Sequence, residues 1–212
     1  MKLSVFTHTA AGKNKQNEDR IYSKIIDEKS ALFIIADGMG GYEYGARIAE
    51  LVVREIVSSI LKNIPINGYK KLILTQAMEQ ANSIVERETY KLHAKLGCAV
   101  SVCLFVDNHM YFSWLGNVRI YQIRDKSITQ LTQDHVLPGY PTILTRCING
   151  KHFEKTIPHT ACRIKSDDRY VICTDGFYNY VDEQTITEKR LCEFISNLKL
   201  DDDASVIEIT VL

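Results

Sequence analysis

Along the chain, apolar and polar positions change period several times. Leu3 to Thr9 and Arg20 to Ile26 read as strands separated by a polar loop, and Ala31 to Ala36 is an unbroken apolar run that reads as a buried strand. From Glu43 to about Leu61 the apolar residues Ile48, Leu51, Val52, Ile56 and Ile60 recur at helical spacing. Ile64-Pro65-Ile66-Asn67-Gly68 breaks that pattern. A second helix follows, with Tyr69, Leu72, Ile73, Gln76, Ala77, Ala81, Ile84 and Val85 on one face and Asn67 as its cap.

Beyond this point the pattern shortens. Cys98 to Val106, Met110 to Leu115, Arg119 to Arg124 and Ser127 to Leu131 are strand-like, with turns at Asp107-Asn108 and Asp125-Lys126. Strands so closely spaced predict an antiparallel meander. Leu137 to Pro158, rich in proline and glycine, reads as a loop. Arg169 to Thr174 is another apolar strand, Glu183 to Leu198 a short helix, and Ser205 to Leu212 a closing strand in which Glu208 alternates with Ile207 and Ile209. Strands, two helices, more strands, a helix and a last strand predict an α+β fold rather than alternating βαβ units. Two antiparallel sheets packed together with helices outside would bury the apolar faces.

Composition narrows the functional classes. The 212 residues are 45% hydrophobic and 25% charged, as in an ordinary globular chain. Net charge is zero and no basic patch stands out, which argues against nucleic acid as the main partner. No long uncharged apolar stretch and no signal-peptide pattern occur, so the expectation is a cytoplasmic protein without a membrane partner. The six cysteines form no Cys-x-x-Cys pair and read as small buried hydrophobes kept reduced.

The chemistry is carried by acid at strand ends. Phe33-Ile34-Ile35-Ala36 leads into Asp37, followed by Gly38-Met39-Gly40-Gly41. Glycine lets the backbone turn sharply and approach whatever the carboxylate holds, so the segment can present a carboxylate and a main-chain carbonyl to a hard cation. A plain Asp-Gly hairpin turn is the alternative. Three further clusters sit at strand edges: Asn17-Glu18-Asp19, Asp175 before Gly176, and Asp201-Asp202-Asp203. Each taken singly reads equally well as a solvated turn or a cap. Together they offer all-oxygen ligands suited to Mg²⁺, Mn²⁺ or Ca²⁺ rather than zinc.

These residues resemble, in order and over nearly the full length, the PPM or type 2C metal-dependent serine/threonine protein phosphatases. Asn17-Glu18-Asp19 is similar to the family's Asn-Glu-Asp, and Asp37-Gly38-Met39-Gly40-Gly41 to its bacterial-type Asp-Gly-Met-Gly-Gly. Gly97 opens a segment like the Gly-Thr-Thr strand, and Gly116-Asn117-Val118-Arg119 is similar to Gly-Asp-Ser-Arg. Leu131-Thr132-Gln133-Asp134-His135 is similar to Leu-Thr-x-Asp-His, Cys173-Thr174-Asp175-Gly176 to Cys-Ser-Asp-Gly, and Asp202-Asp203-Ala204-Ser205-Val206 to Asp-Asn-x-Thr-Val.

The resemblance implies a four-layer α-β-β-α sandwich forming one phosphatase domain over 1–212, with a reduced flap at about 137–158. It implies hydrolysis of phosphoserine or phosphothreonine on proteins by a water bridging two Mn²⁺ or Mg²⁺ ions. Asp37 would bridge the ions, the Gly38 carbonyl would bind one, and Asp175 and Asp202 the other. Glu18 and Asp19 would bind a metal or orient its waters. Met39 stands where animal members carry a histidine, so leaving-group protonation would fall to water. His135 reads as structural. The setting implied is a monomer acting on a phosphorylated protein, with a cognate Ser/Thr kinase.

Three departures from the family pattern matter. The phosphate-gripping arginine position is Asn14, flanked by Lys13 and Lys15, which attract phosphate as point charges without a bidentate fork. The third-metal aspartate is Asn117, an amide that can coordinate but brings no charge, so a third ion should be weak or absent. The stretch from His135 to Asp175 is short, so the helical flap that related enzymes carry there is expected to be largely missing. Two alternatives therefore stand beside an active phosphatase: a weakly active or inactive phosphoprotein-binding module, and a hydrolase of small phosphate esters on the same fold.

Overall fold

The computed structural model describes residues 1–13, 16–39, 43–64, 70–195 and 201–212. The expected positions Asn14, Lys15, Gly40, Gly41, Asn67 and Tyr69, and the end of the last expected helix, lie outside them.

Strands β1 (Leu3–Ala10), β2 (Asp19–Ile25) and β3 (Ser30–Met39) precede helices α1 (Glu43–Asn63) and α2 (Lys70–Leu92). Then come β4 (Gly97–Val106), β5 (His109–Leu115), β6 (Arg119–Arg124), β7 (Ser127–Gln130), β8 (Val136–Leu137), β9 (Tyr140–Leu144), β10 (His159–Arg163) and β11 (Arg169–Cys173). Short helices α3 (Asp175–Tyr178) and α4 (Glu183–Glu188), a 3₁₀ turn at Leu191–Glu193 and β12 (Ala204–Val211) complete the order.

Two five-stranded antiparallel sheets result, one ordered β10-β5-β4-β3-β2 and the other β1-β12-β11-β6-β7. Their inner faces meet through Phe33, Ile35, Phe105, Ile120, Tyr170, Ile172, Ile207 and Ile209. Phe105 stands edge-on to both Phe33 (5.5 Å) and Tyr170 (5.6 Å), the geometry that ring quadrupoles favour. On the outside of the first sheet, Leu32, Ile34 and Ala36 pack with Ile48, Val52 and Ile56 of α1 and Leu74, Ala77 and Met78 of α2. β3 is thus covered on both faces, which is why its sequence is continuously apolar. The outside of the second sheet carries a thin layer, where Phe177, Ile186 and Leu191 pack on Val171, Cys173 and Val206. The expected four layers are all there.

Six details differ from the sequence expectation. The four strands from Cys98 to Leu131 are not one meander: β4 and β5 belong to the first sheet, β6 and β7 to the second. The chain crosses at Gly116, whose φ of +96° and whose clearance from Ala99 (2.4 Å to an added Cβ) both require glycine. On α2, Leu72 is 52% exposed and Gln76 is exposed, while Leu74 and Met78 are buried. The expected loop 137–158 contains the β8–β9 hairpin, and β10 follows it. The expected helix from Glu183 is one short helix and a 3₁₀ turn. Finally, all cysteines are free, with Cys98, Cys103 and Cys173 buried but Cys192 exposed, and β12 is buried along its whole length, Glu208 included.

Candidate metal centre

The acidic clusters meet at one end of the sandwich. β2 and β3 pair in a register that sets Asp19 directly opposite Asp37. In the second sheet, Asp175 is not the end of a strand but the first residue of α3, with Thr174 at the N-cap position making no side-chain capping bond, and Asp202 and Asp203 lead into β12 beside it. α3 can come this close because Gly176 lies against Asp203, where an added Cβ would sit 2.1 Å from the carbonyl oxygen.

The carboxylates act on one another's charge. The Asp37 carboxyl is pushed well above its usual range, first by burial and then by the charges of Asp19, Asp175, Asp202 and Asp203. Asp19, 3% exposed, is pushed up to about 8 by burial, although Ser205 and Thr174 donate hydrogen bonds that oppose the shift. Thr174 Oγ1 lies 2.9 Å from Asp19 Oδ2. Asp175 is raised by burial and by Asp202. Among the described residues, none of these five aspartates has an ion-pair partner.

Glu18 and Gly38 join from the α1 side. The Gly38 amide donates to the Glu18 carbonyl at 3.3 Å. A Cβ on Gly45 would meet Glu18 Oε2 at 2.1 Å and the Gly38 carbonyl oxygen at 3.0 Å, so both oxygens border the same space over the start of α1. Met39 reaches Gly97 of β4, its Cε 2.7 Å from where a Gly97 Cβ would stand.

Asn117, 5% exposed, donates through Nδ2 to Asp175 Oδ2 at 3.0 Å, while its Oδ1 is buried without a hydrogen-bond partner. A buried acceptor left over beside carboxylates is a position for a cation or an ordered water. Asn117 is held by Tyr178, whose hydroxyl donates to its carbonyl at 3.1 Å. The Tyr178 ring lies 3.6 Å below the Arg119 guanidinium, which forks onto Asp134. Of the expected phosphate-binding residues, Lys13 is described: it is exposed and ion-paired with Asp201 at 2.8 Å.

His135 is structural, as expected. Its Nδ1 accepts the Gly116 amide at 3.1 Å and its ring stacks on Trp114. Burial and the Arg146 charge lower it to about 4, so it is neutral near pH 7.

Sequence reasoning missed Thr174, Ser205, Asp203 and the Arg119–Tyr178 stack. For Asp203 the signal was present in the acidic triplet, but nothing in the spacing told which aspartate turns inward.

The residues fit a hard divalent cation: every donor is oxygen, and the carboxylates crowd without a cationic neighbour among the described residues. Also among the described residues, no three His, Cys, Asp or Glu side chains close on one point as a complete ligand group.

The protein phosphatase 2C family model matches residues 8–206. The chain belongs to that family. It is 27% identical over 192 residues to the serine/threonine protein phosphatase PstP of Mycobacterium tuberculosis, covering 81% of this chain and 35% of that protein. It therefore spans about a third of that relative's length. A putative protein phosphatase of Mycoplasma genitalium is 23% identical over 217 residues, covering 87% of this chain and 83% of its own. Among solved structures, the catalytic domain of PstP in complex with two manganese ions superposes with a TM-score of 0.85 at 24% identity, covering 99% of this chain and 98% of that one. At that identity the likeness speaks for the fold. Among the described residues, no helix is long and apolar enough to cross a membrane.

Proposed function

We propose that this chain is a metal-dependent hydrolase of phosphoserine and phosphothreonine on proteins, built as one phosphatase domain over residues 1–212 with a reduced flap. The observation that carries this reading is Asp37: a carboxylate at the end of a buried strand, with four other aspartates acting on it and no basic partner among the described residues. Burial and like charge disfavour the ionised form of Asp37, and cations beside it would favour that form.

Asp37 would be shared between two Mn²⁺ or Mg²⁺ ions, with the Gly38 carbonyl and Glu18 on one side and Asp175 and Asp202 on the other. When bound, the metal supplies the positive charge that makes water nucleophilic near neutral pH and offsets charge on the phosphoryl group. Asp19, held by Thr174 and Ser205, orients water and fixes Asp37 across the strand pair. Asn117 steadies Asp175 by donating to it, and its uncharged oxygen leaves any third ion weakly held. Lys13, with Lys15 and Asn14 beside it in sequence, would attract substrate phosphate by charge once it leaves its ion pair with Asp201. Met39 offers no proton, so the leaving group takes its proton from water. A monomer in the cytoplasm, opposing a Ser/Thr kinase, is the setting this reading implies.

The test is phosphate release from a phosphothreonine peptide and from p-nitrophenyl phosphate, each with Mn²⁺, with Mg²⁺ and with chelator. A metal-dependent rate on the peptide is expected. No rate above chelator on either substrate defeats the enzyme reading.

One second reading has an observation behind it. Lys13 is already paired with Asp201, and Asn117 brings no charge to the centre. Both features suit a phosphoprotein-binding module with little or no turnover, which would bind the phosphopeptide without releasing phosphate.

A further inference from the structure

The segment after β1 crosses from the second sheet to β2 of the first, the Asp201–Asp203 segment leads into β12 of the second, and one side chain ties the two segments together. Asp203 is 8% exposed. Its Oδ1 accepts the Gly12 amide at 2.9 Å, and its Oδ2 accepts the Glu18 amide at 2.7 Å. Gly12 lies so close that an added Cβ would stand 2.4 Å from the Asp202 carbonyl carbon. The Lys13 amide donates to the Asp201 carbonyl at 3.1 Å. The ends of the loop carrying Lys13 and Glu18 are therefore fastened to the segment carrying Asp202. The other side of Glu18 is braced by Arg20, whose Nη1 donates to the carbonyls of Asn17 (2.8 Å) and Asp19 (2.7 Å).

We propose that Asp203 is a positioning residue rather than a metal ligand: its two oxygens clamp the Gly12 and Glu18 amides and so set Glu18 of the first sheet against Asp202 of the second. This deepens the metal-dependent hydrolase reading and rests on it. The reason lies in the donor count. Two amide N–H groups arrive at two different oxygens, and only a carboxylate has an acceptor at both. Asparagine, which stands at the corresponding place in the motif that this segment resembles, would turn an N–H₂ toward one of the two N–H donors. A carboxylate accepting two backbone N–H bonds also makes the stronger, charge-assisted kind. The clamp adds one more carboxylate to the centre, whose charge bound cations would offset.

The experiment uses the full chain as wild type, Asp203→Asn and Asp203→Glu. Mn²⁺ affinity is measured by titration calorimetry, kcat and KM are measured against metal and substrate, and amide exchange at Gly12 and Glu18 is followed by NMR. For Asp203→Asn, Mn²⁺ affinity falls roughly 10- to 100-fold, as when a group that orients a ligand is lost. Much of kcat returns at saturating Mn²⁺, and the Glu18 or Gly12 amide exchanges faster while β3 and β11 amides do not. Retained Mn²⁺ affinity and retained amide protection in Asp203→Asn overturn the proposal and leave the hydrolase reading standing. A wild type that takes up no Mn²⁺ overturns the hydrolase reading and this role with it. Should Asp203→Asn not fold, wild-type exchange decides: fast Gly12 and Glu18 amides in the folded protein overturn the clamp.

Discussion

Asn117 Nδ2 donates to Asp175 Oδ2 at 3.0 Å, joining the crossing between the sheets to the first turn of α3. The contact replaces what would be a carboxylate pair with a donor and an acceptor. Asn117→Asp should therefore act in opposite directions with and without metal. In chelator it loses the donor and sets a like charge beside Asp175, a loss of about 1.5–3 kcal/mol, the worth of a hydrogen bond to a charged group. With Mn²⁺ it gains a ligand, so the metal-induced rise in Tm should exceed that of wild type. Thermal unfolding in chelator and in Mn²⁺ reads both signs, and a variant as stable as wild type in chelator contradicts the contact.

Asp37→Asn separates chemistry from folding. The Asp37 carboxyl is raised by burial and by its acidic neighbours, so in the metal-free protein its charge opposes the folded state. A neutral residue of the same shape removes that opposition. The expected outcome is a metal-free Tm equal to or above wild type, with the Mn²⁺-induced rise in Tm and phosphate release both abolished. Activity persisting in this variant would remove Asp37 from the bridging role.

The halves of this centre were unequally legible. Asp37 was readable because a both-faces-buried strand has a continuous apolar sequence and the carboxylate interrupts it. Asp203 was not, because three consecutive aspartates are chemically alike and only the backbone approach of Gly12 and Gly176 decides which one turns inward. The crossing at Gly116 was hidden for a similar reason: β4–β5 and β6–β7 are each local hairpins, and hairpin spacing does not reveal to which sheet a hairpin belongs. On α2, each residue steps by about 100° around the axis, so Leu72 and Gln76 fall off the stripe that Ile73, Ala77 and Ala81 bury. β10 was missed because His159-Thr160-Ala161-Cys162-Arg163 is an edge strand with little apolar content.

His135 should give the fold a pH dependence of its own. Its folded value of about 4 lies below the ordinary 6.5, so between these values the unfolded chain binds the proton and the folded chain does not. The slope is positive: this contribution is fully present above about 6.5 and is lost as pH falls toward 4. His135→Gln keeps an acceptor for the Gly116 amide but does not titrate there. The urea midpoint of wild type relative to the variant should be flat from pH 7.5 to 6.5 and fall below that. A constant difference down to pH 4.5 contradicts a buried neutral imidazole.

Gly45→Ala tests Glu18 without touching an acid. Within α1, replacing glycine by alanine ordinarily favours the helix by up to about 1 kcal/mol. Here the new methyl would arrive 2.1 Å from Glu18 Oε2 and 3.0 Å from the Gly38 carbonyl oxygen. The first contact is the far end of a flexible side chain, which can swing aside; the second is at the edge of tolerance. Glu18 should therefore leave its place while the helix holds. The expected result is an unchanged Tm, or one raised by up to about 2–4 °C, with Mn²⁺ affinity and phosphate release both reduced by roughly 10- to 100-fold. Gly38→Ala is the contrasting case, because its methyl would meet the Gly45 carbonyl oxygen at 2.0 Å, and two backbones cannot swing apart. That variant should lose stability as well as activity. If Gly45→Ala keeps both its Tm and its Mn²⁺ affinity, Glu18 does not hold or orient the metal.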